Sequence, residues 1–377
     1  MRIALITETF TTGVGRHIAD LMGELGARGH QVHLLYGDRR FDPALVRSVQ
    51  ALPGVHLCAL PMRRAPHPQD LRSLWTMWRY LRRHGPFDVL HGHSSKGGAY
   101  ARLLGALLRV RCLYTPHALV TLAPDLGRPA RLIYGTVERL LAPLTDCIVC
   151  CSAAERTHAV ASGLGARRCV VVPHGIAPFD AVPLGVRQQI ALPPEVLLAG
   201  FIGRLEPQKA PELLIEAIGL LHGRGVPVHF AIAGDGQLRV ALQQRLEATG
   251  AQASATWLGA VDGRRLMAEL DLLVMPSRYE GFPYVLLEAL HCGVPVVATP
   301  VGGVAETNGD ALCGTVVPHD DAEALANAIE QLVRDPVRRA RMAAQARLRA
   351  PSFSVPVMAG RTEALYRAGP PALSTGT

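Results

Sequence analysis

Two carboxylates stand eight residues apart where the sequence predicts a loop leading into an apolar helix. Glu280 precedes the helix and Glu288 lies within it, in the run Glu280-Gly281-Phe282-Pro283-Tyr284-Val285-Leu286-Leu287-Glu288. A carboxylate inside an otherwise apolar helix is costly when it is buried without a partner. The pair therefore indicates polar ligand binding, and the alternative is a loop glutamate and a solvated helix glutamate with no shared role.

The spacing of the two glutamates limits the chemistry that they can perform. With a rise of about 1.5 Å per helical residue, the two carboxyl groups lie roughly 10 Å apart. The acid and base of a glycosidase lie about 5 to 9.5 Å apart across a single bond. We therefore expect Glu280 and Glu288 to contact different parts of one long ligand.

The glutamate run and the segment Gly293-Val294-Pro295-Val296-Val297-Ala298-Thr299 after it resemble a known motif. This is the E-x7-E motif of retaining glycosyltransferases of the GT-B fold, especially glycosyltransferase family 4. The resemblance implies that Glu280 contacts hydroxyls of the donor sugar and that Glu288 holds the ribose of the sugar nucleotide. It also implies donor contacts from the residues between them, Gly281, Phe282, Pro283 and Tyr284.

A cationic loop, Gly203-Arg204-Leu205-Glu206-Pro207-Gln208-Lys209, follows the predicted strand Val196–Ile202. Its glycine frees backbone amides, and Arg204 and Lys209 are spaced to close on a diphosphate. Fixed cations are most useful where charge develops, as it does on a departing diphosphate. The loop resembles the family's Gly-Arg-Leu-x-x-x-Lys-Gly stretch, although Ala210 replaces the last glycine. The alternative is an ordinary charged loop between a strand and a helix.

Glycine-rich turns follow two further predicted strands. Gly13 and Gly15 precede a predicted helix, as in a phosphate-cradling turn. A dinucleotide fingerprint would need a third glycine where Ile18 stands, and Asp38 after the second strand leaves a nicotinamide enzyme as an open alternative. The family resemblance implies that the first turn lines the donor phosphates, and that Gly234 approaches the nucleotide.

Histidines follow two neighbouring predicted strands of the first half, in His91-Gly92-His93-Ser94-Ser95-Lys96 and Tyr114-Thr115-Pro116-His117-Ala118. Both stretches are similar to those of family 4 enzymes that build bacterial surface polysaccharides. By that resemblance His117 approaches the transferred sugar, while His93 and Lys96 line the acceptor side. Without the resemblance, either histidine would more often be a structural residue with satisfied hydrogen bonds. His174 stands where the family's Pro-Asn-Gly-Val-Asp hinge carries asparagine.

The sequence predicts neither a metal site nor a cofactor. The histidines show no convincing metal-ligand spacing. The CxxC formed by Cys147 and Cys150, with Cys151 beside it, fits a buried strand better than a redox or zinc motif. No clear DxD motif for a metal-bound diphosphate is present either. We therefore expect a metal-independent mechanism in which Arg204 and Lys209 neutralise the diphosphate.

Apolar strands alternate with amphipathic helices in two series, separated by the proline-rich stretch Pro173–Pro194. Such alternation predicts parallel sheets covered on both faces. With the resemblance, it predicts an α/β protein of GT-B architecture, two Rossmann-like parallel-sheet domains facing a cleft. The resemblance implies an acceptor-binding domain at residues 1–178 and a nucleotide-sugar domain at 179–353. A C-terminal helix at about 354–368 is expected to pack back on the first domain, and a disordered tail is expected at 369–377.

The net charge of +8 is concentrated in the first half of the chain. Residues 1–185 hold 22 Lys/Arg and 12 Asp/Glu, whereas 186–377 hold 17 and 19. This asymmetry indicates an anionic partner, and without a nucleic-acid-binding pattern an anionic membrane surface is preferred. The predicted helix within Met62–His84 fits an interfacial helix or a helix packed on the sheet. Its apolar face carries Leu71, Leu74, Trp75, Trp78 and Leu81, with arginines beside it.

The predicted location is cytoplasmic, peripheral on the inner face of the plasma membrane. No apolar run reaches about 18 residues, and the first strand ends at Glu8 before a signal-peptide core could form. The predicted activity is retaining transfer from a nucleotide-diphosphate sugar to a lipid-linked or soluble saccharide, in polysaccharide or glycoconjugate biosynthesis. Alternatives are a sugar-nucleotide epimerase of the same fold and a non-catalytic sugar-nucleotide-binding protein.

Overall fold

The computed structural model describes residues 1–310 and 312–368, so the tail predicted at 369–377 lies outside the described residues. The chain divides into two compact units. The first comprises residues 1–177 and the chain from Phe353 onward, and the second comprises Pro178–Ser352. The corresponding boundaries predicted from the sequence are 178 and 353.

The first unit is built on a parallel sheet of apolar strands. These are β1 (Arg2–Thr7), β2 (Gln31–Gly37), β3 (Val55–Leu60), β4 (Val89–His93), β5 (Arg111–Thr115), β6 (Cys147–Cys150) and β7 (Cys169–Val171). They lie in the order β3-β2-β1-β4-β5-β6-β7. In β1 every residue after the first is buried, as expected of a strand that helices cover on both faces.

Helices connect these strands and cover both faces of the first sheet. They are α1 (Thr12–Ala27), α2 (Pro43–Gln50), α3 (Gln69–His84), α4 (Ser94–Leu108), α5 (Arg128–Leu141) and α6 (Ala153–Ala161). The order of the strands reverses at β1, which pairs with both β2 and β4. Ligands of open α/β sheets bind at such a reversal, beyond the carboxyl ends of the strands.

The second unit repeats this design. Its strands are β8 (Leu197–Ile202), β9 (Val228–Ala233), β10 (Ala255–Gly259), β11 (Leu272–Met275), β12 (Val296–Ala298) and β13 (Gly314–Val316), in the order β10-β9-β8-β11-β12-β13. Its helices are α7 (Val186–Gln189), α8 (Pro211–Gly223), α9 (Arg239–Ala248), α10 (Gly263–Met267), α11 (Tyr284–Cys292), α12 (Val304–Asn308), α13 (Ala322–Arg334) and α14 (Pro336–Arg349). The short helix α7 lies within the predicted proline-rich linker.

The last helix, α15 (Val355–Arg367), belongs to the first unit. Glu363 pairs with Arg28 at 2.9 Å and lies 3.0 Å from His30 Nε2. Hydrogen bonds from Arg367 and Arg28 lower the pKa of Glu363 to about 2. The Tyr366 hydroxyl lies 2.7 Å from His91 Nδ1 in β4. These contacts attach the C-terminal helix to α1 and to the sheet.

The helix α3 is packed on the sheet, which is the second of its two predicted roles. Leu74, Trp78 and Leu81 belong to or pack against the core that β1, β4 and α4 share. Only Leu71 and Trp75 of the predicted apolar face are exposed, at 75% and 53%. The face is apolar mainly because it meets the core, so most of it cannot also enter a membrane.

A different helix of the first unit exposes apolar side chains. On α5 these are Leu132, Ile133, Tyr134, Val137 and Leu140, with exposed fractions from 37% to 71%. This surface was not predicted from the sequence. Among the described residues, no helix is both long enough and apolar enough to cross a bilayer.

Candidate active site

The cationic loop and the first glutamate meet in the second unit. The loop follows β8 and Glu280 follows β11, and these two parallel strands are neighbours in the sheet. Lys209 Nζ lies 2.5 Å from Glu280 Oε1, and the two side chains are only 14% and 9% exposed. The structure thus joins two motifs that the sequence analysis identified separately, 71 residues apart.

Side chains that the sequence analysis did not single out hold these two loops together. Gln208 Nε2 donates to the Tyr279 carbonyl at 3.1 Å, and the Arg278 N–H donates to the Gln208 carbonyl at 2.9 Å. The Arg278 guanidinium pairs with Glu212 at 2.6 Å and with Asp320 at 2.9 Å. These contacts fix the backbone that carries Lys209 and Glu280.

The other predicted cation, Arg204, lies at the surface. Its side chain is 59% exposed and its guanidinium pairs with Glu206 at 2.5 Å. It also donates to Gln208 Oε1 at 3.2 Å. An exposed arginine keeps rotamer freedom, so Arg204 can turn toward an anionic ligand while Lys209 is already fixed.

Close backbone contacts explain the glycines of the nucleotide turn. A Cβ on Gly234, which has φ +134°, would lie 1.9 Å from the Gly203 carbonyl oxygen. A Cβ on Gly236 would lie 2.5 Å from the Leu205 carbonyl oxygen.

At the end of the cationic loop, Ala210 adopts the left-handed conformation, at φ 46° and ψ 47°, where the family carries glycine. The turn therefore forms without glycine, at a conformational cost of about 1–2 kcal/mol.

The second glutamate of the motif is buried and paired. Glu288 lies on α11 with 8% of the residue exposed. Its Oε1 lies 3.3 Å from Arg264 Nε, and the Arg264 guanidinium stacks 4.5 Å from the centre of the Phe179 ring. The alternative of a solvated helix glutamate is therefore wrong. Phe282, between the two glutamates, packs closely on Gly303.

Four histidines and a cysteine of the first unit gather where five parallel strands end. His93 is the last residue of β4, His117 follows β5 and His174 follows β7, while His17 lies on α1 after β1. His93 Nδ1 lies 3.0 Å from His117 Nε2, and His117 Nδ1 lies 3.3 Å from His174 Nε2. Cys151 follows β6, and its Sγ lies 3.1 Å from His174 Nε2.

This cluster of potential metal ligands was not predicted from the sequence. The structure places His17, His93 and His117 together, and also His117, Cys151 and His174, with one ligand atom of each within 4.8 Å of the others. Spacing along the chain could not reveal these sets because each member follows a different strand. Only the order of the parallel strands brings them to one place.

The backbone at His117 is strained. His117 and Ala118 have φ values of +57° and +79°. The buried Glu155 carboxylate accepts hydrogen bonds from the N–H groups of Ala118 at 2.8 Å, Leu119 at 3.1 Å and Cys151 at 2.7 Å. Strained conformations persist where surrounding contacts over-determine them, and they cluster at functional sites.

His17, His93 and His117 are neutral at neutral pH. Burial lowers the pKa of His17, His93 and His117 well below the usual value, and the neighbouring imidazoles lower it further. A neutral imidazole has one donor and one acceptor nitrogen. His117 is therefore equipped for hydrogen bonding to hydroxyl groups rather than for pairing with an anion.

Lys96 Nζ donates to Asp70 at 2.9 Å and to the Ala65 carbonyl at 2.8 Å, so it anchors the loop before α3. Its place on the acceptor side stays a prediction.

The first glycine-rich turn differs from its prediction. Gly13 and Gly15 lie within the first turns of α1 rather than in a loop before it. A Cβ on Gly15 would lie 2.7 Å from the backbone carbon of Phe10, so this glycine permits close helix–loop packing.

Both units of the chain match families of known proteins. Residues 12–175 match the family described as glycosyl transferase 4-like domain, and residues 186–349 match the glycosyl transferases group 1. A D-inositol 3-phosphate glycosyltransferase of Xylanimonas cellulosilytica is 30% identical over 367 residues, which cover 89% of this chain and 86% of that protein. The chain belongs to the family 4 type of glycosyltransferases. Its activity is therefore glycosyl transfer.

Two further similarities agree with this assignment. An uncharacterized 41.2 kDa protein in the cps region of Klebsiella pneumoniae is 30% identical over 270 residues, covering 67% of this chain and 71% of that protein. The crystal structure of Anabaena HepE in complex with UDP and glucose aligns with a TM-score of 0.78 at 20% identity, covering 98% of this chain and all of that one. The glycosyltransferase has the GT-B type of fold predicted from its sequence.

Proposed function

We propose that this glycosyltransferase retains the anomeric configuration of the sugar that it transfers from a nucleotide-diphosphate donor. The observation that supports the proposal most is the enclosed pair of Lys209 and Glu280, which joins the cationic loop to the E-x7-E motif. A cation for the diphosphate and a carboxylate for sugar hydroxyls are then side by side. A donor spans both groups when its diphosphate lies at Lys209 and its sugar at Glu280.

The proposed reaction is a front-face displacement that needs no protein base. The bond between the anomeric carbon and the diphosphate oxygen breaks, and Lys209 and Arg204 stabilise the negative charge that develops there. The acceptor hydroxyl attacks from the same face and forms the new glycosidic bond. Its proton passes to the departing phosphate oxygen, so the products are the glycoside and a protonated nucleoside diphosphate.

The remaining residues have supporting roles in this proposal. Glu288 binds the ribose, Gly203 and Gly234 allow the nucleotide to approach the backbone, and neutral His117 hydrogen-bonds the transferred sugar. His93 contributes to the acceptor side. UDP is the ligand in the HepE structure, and it is therefore the first nucleotide to test. A sugar-nucleotide epimerase would consume the donor without an acceptor, so mass analysis of the products separates the two activities.

Replacing each of the two glutamates by alanine should impair a different property of the enzyme. Because Glu288 is assigned to the ribose, Glu288→Ala should weaken binding of the free nucleoside diphosphate about tenfold or more, as expected for hydrogen bonds to a charged group. Glu280→Ala should lower turnover with little effect on that binding. Calorimetric titration and initial rates measure the two quantities. Wild-type transfer rates in both folded variants would contradict the proposed donor site.

The transfer should not depend on a divalent cation, because Arg204 and Lys209 provide the positive charge near the diphosphate. Activity should survive prolonged treatment with EDTA, followed by assay in chelator. Adding magnesium or manganese should change the rate by less than about twofold. A rate that collapses in EDTA and recovers with either ion would show that the leaving diphosphate needs a metal.

We also propose that the first unit binds the anionic inner face of the plasma membrane, where a lipid-linked saccharide would be the acceptor. The apolar side chains of α5 are exposed, and Arg128, Arg131 and Arg139 lie on the same helix. Basic residues near an anionic surface contribute about 1 kcal/mol each, and apolar burial adds a part that salt does not remove. Such a location fits a role in glycoconjugate biosynthesis.

Flotation with liposomes tests this surface. The protein should float with anionic vesicles more than with neutral ones, and less so at high salt, because the Debye length falls to about 3 Å at 1 M. Leu132→Ser with Leu140→Ser should reduce flotation further, whereas Trp75→Ser serves as a control on α3. Equal and negligible flotation with both vesicle types would instead favour a soluble acceptor, such as the inositol phosphate in the names of several relatives.

A further inference from the structure

Three potential metal ligands face one another in the first unit. Cys151 Sγ lies 3.1 Å from His174 Nε2 and 3.8 Å from His117 Nδ1, and the two nitrogens lie 3.3 Å apart. Cys151 and His174 are buried, and His117 is partly exposed. Two imidazoles and a thiol are ligands that zinc takes in proteins.

The distances between these atoms fit a tetrahedral zinc ion. With Zn–N bonds of about 2.0–2.1 Å and a Zn–S bond of about 2.3 Å, two nitrogens lie about 3.3 Å apart and a nitrogen and a sulfur about 3.6 Å apart. The observed nitrogen pair is separated by 3.3 Å, and the two nitrogen–sulfur distances of 3.1 and 3.8 Å bracket the second value. An ion therefore fits with small side-chain shifts.

Neighbouring histidines provide a hydrogen-bond partner for one ligand and a candidate fourth ligand. When a metal takes His117 Nδ1, the proton sits on Nε2, which lies 3.0 Å from His93 Nδ1 and can donate to it. The His17 ring centre lies 4.8 Å from that of His117 and 4.7 Å from that of His174. The buried His17 Nδ1 has no hydrogen-bond partner within the part of the chain that the structure describes. It is a protein candidate for the fourth ligand.

We propose that His117, His174 and Cys151 bind one zinc ion in the first unit. Binding converts the Cys151 thiol to a thiolate and releases its proton to solvent. The three ligands belong to the first unit, whereas Lys209 and Arg204 belong to the second. Bound zinc occupies the His117 nitrogen and thereby inhibits transfer, and this consequence alone rests on the proposed function.

Zinc binding can be measured without any turnover. The full chain, stripped with chelator and kept reduced, is titrated with Zn²⁺ in competition with a chromogenic chelator. We expect one equivalent to bind, with affinity at least tenfold lower in Cys151→Ser and in His174→Asn, which places the family's usual asparagine in the hinge. Cys292→Ser and His222→Asn, in the second unit, should bind as the wild type does. Cobalt should give a thiolate charge-transfer band that Cys151→Ser abolishes.

The outcomes separate this site from the proposed function. The zinc site is ruled out if the wild type binds no zinc, or if both ligand variants are folded by circular dichroism and bind zinc as tightly as the wild type. Either result leaves the glycosyltransferase proposal intact. In the transfer assay, zinc should inhibit the wild type and spare His174→Asn. Stoichiometric zinc binding with undiminished transfer would support the site and contradict the role of His117 at the sugar.

Discussion

Replacing Lys209 by alanine is expected to lower kcat/KM for sugar transfer by about 10²–10³-fold, the effect of removing one group that stabilises developing charge. The lysine is 14% exposed and its Nζ is fixed 2.5 Å from Glu280, so it needs no reorganisation when the diphosphate departs. The loss should appear mainly in kcat, because the charge on the leaving group is greatest in the transition state. Steady-state rates at saturating donor measure it.

Two further variants make the Lys209 experiment decisive. Lys209→Arg keeps the positive charge but not the geometry, so it should recover part of the activity lost in Lys209→Ala. Arg245→Ala removes an exposed cation that pairs with Glu216 elsewhere in the second unit, and it should leave the rate within about twofold. Thermal melting shows which variants remain folded. A folded Lys209→Ala protein with near wild-type kcat would remove the basis for the proposed mechanism.

Local motifs made the second unit predictable. The loop Gly203–Lys209 and the run Glu280–Glu288 are each continuous in sequence, so their residue types and spacing predict their chemistry directly. Both follow strands of a parallel sheet, and this topology places their ends at one edge. The contact between Lys209 and Glu280 follows from the order of β8 and β11, which the alternation of strands and helices does not give.

The first unit was less predictable because its chemistry is spread over many loops. Each member of the histidine cluster comes after a different strand, and Cys151 read alone is an ordinary buried cysteine. The face of α3 shows a second limit. A stripe that contains Trp78 looks the same whether it meets a membrane or a sheet, and only the packing of Trp78 on the core decides between them.

The largest loss of stability is expected at a buried ion pair that the sequence did not reveal. Arg102 of α4 is fully buried, and its NH1 lies 2.7 Å from Glu138 Oε2 on α5. Glu138 Oε1 also accepts from the Tyr114 hydroxyl at 3.0 Å, and the guanidinium lies 4.2 Å from the centre of the Tyr114 ring. Removing one partner of a buried pair leaves an uncompensated charge, which costs about 3–5 kcal/mol.

Glu138→Ala should therefore lower the free energy of unfolding of the first unit by about 3–5 kcal/mol, as measured by denaturant unfolding of the full chain. Glu216→Ala, at an exposed pair, should cost no more than about 1 kcal/mol. Arg102→Met combined with Glu138→Met should lose less than Glu138→Ala, because no buried charge remains. Equal losses in Glu138→Ala and Glu216→Ala would show that the pair is not enclosed. Since Arg102 and Tyr114 belong to α4 and β5, which adjoin His93 and His117, a loosened pair should also reduce transfer.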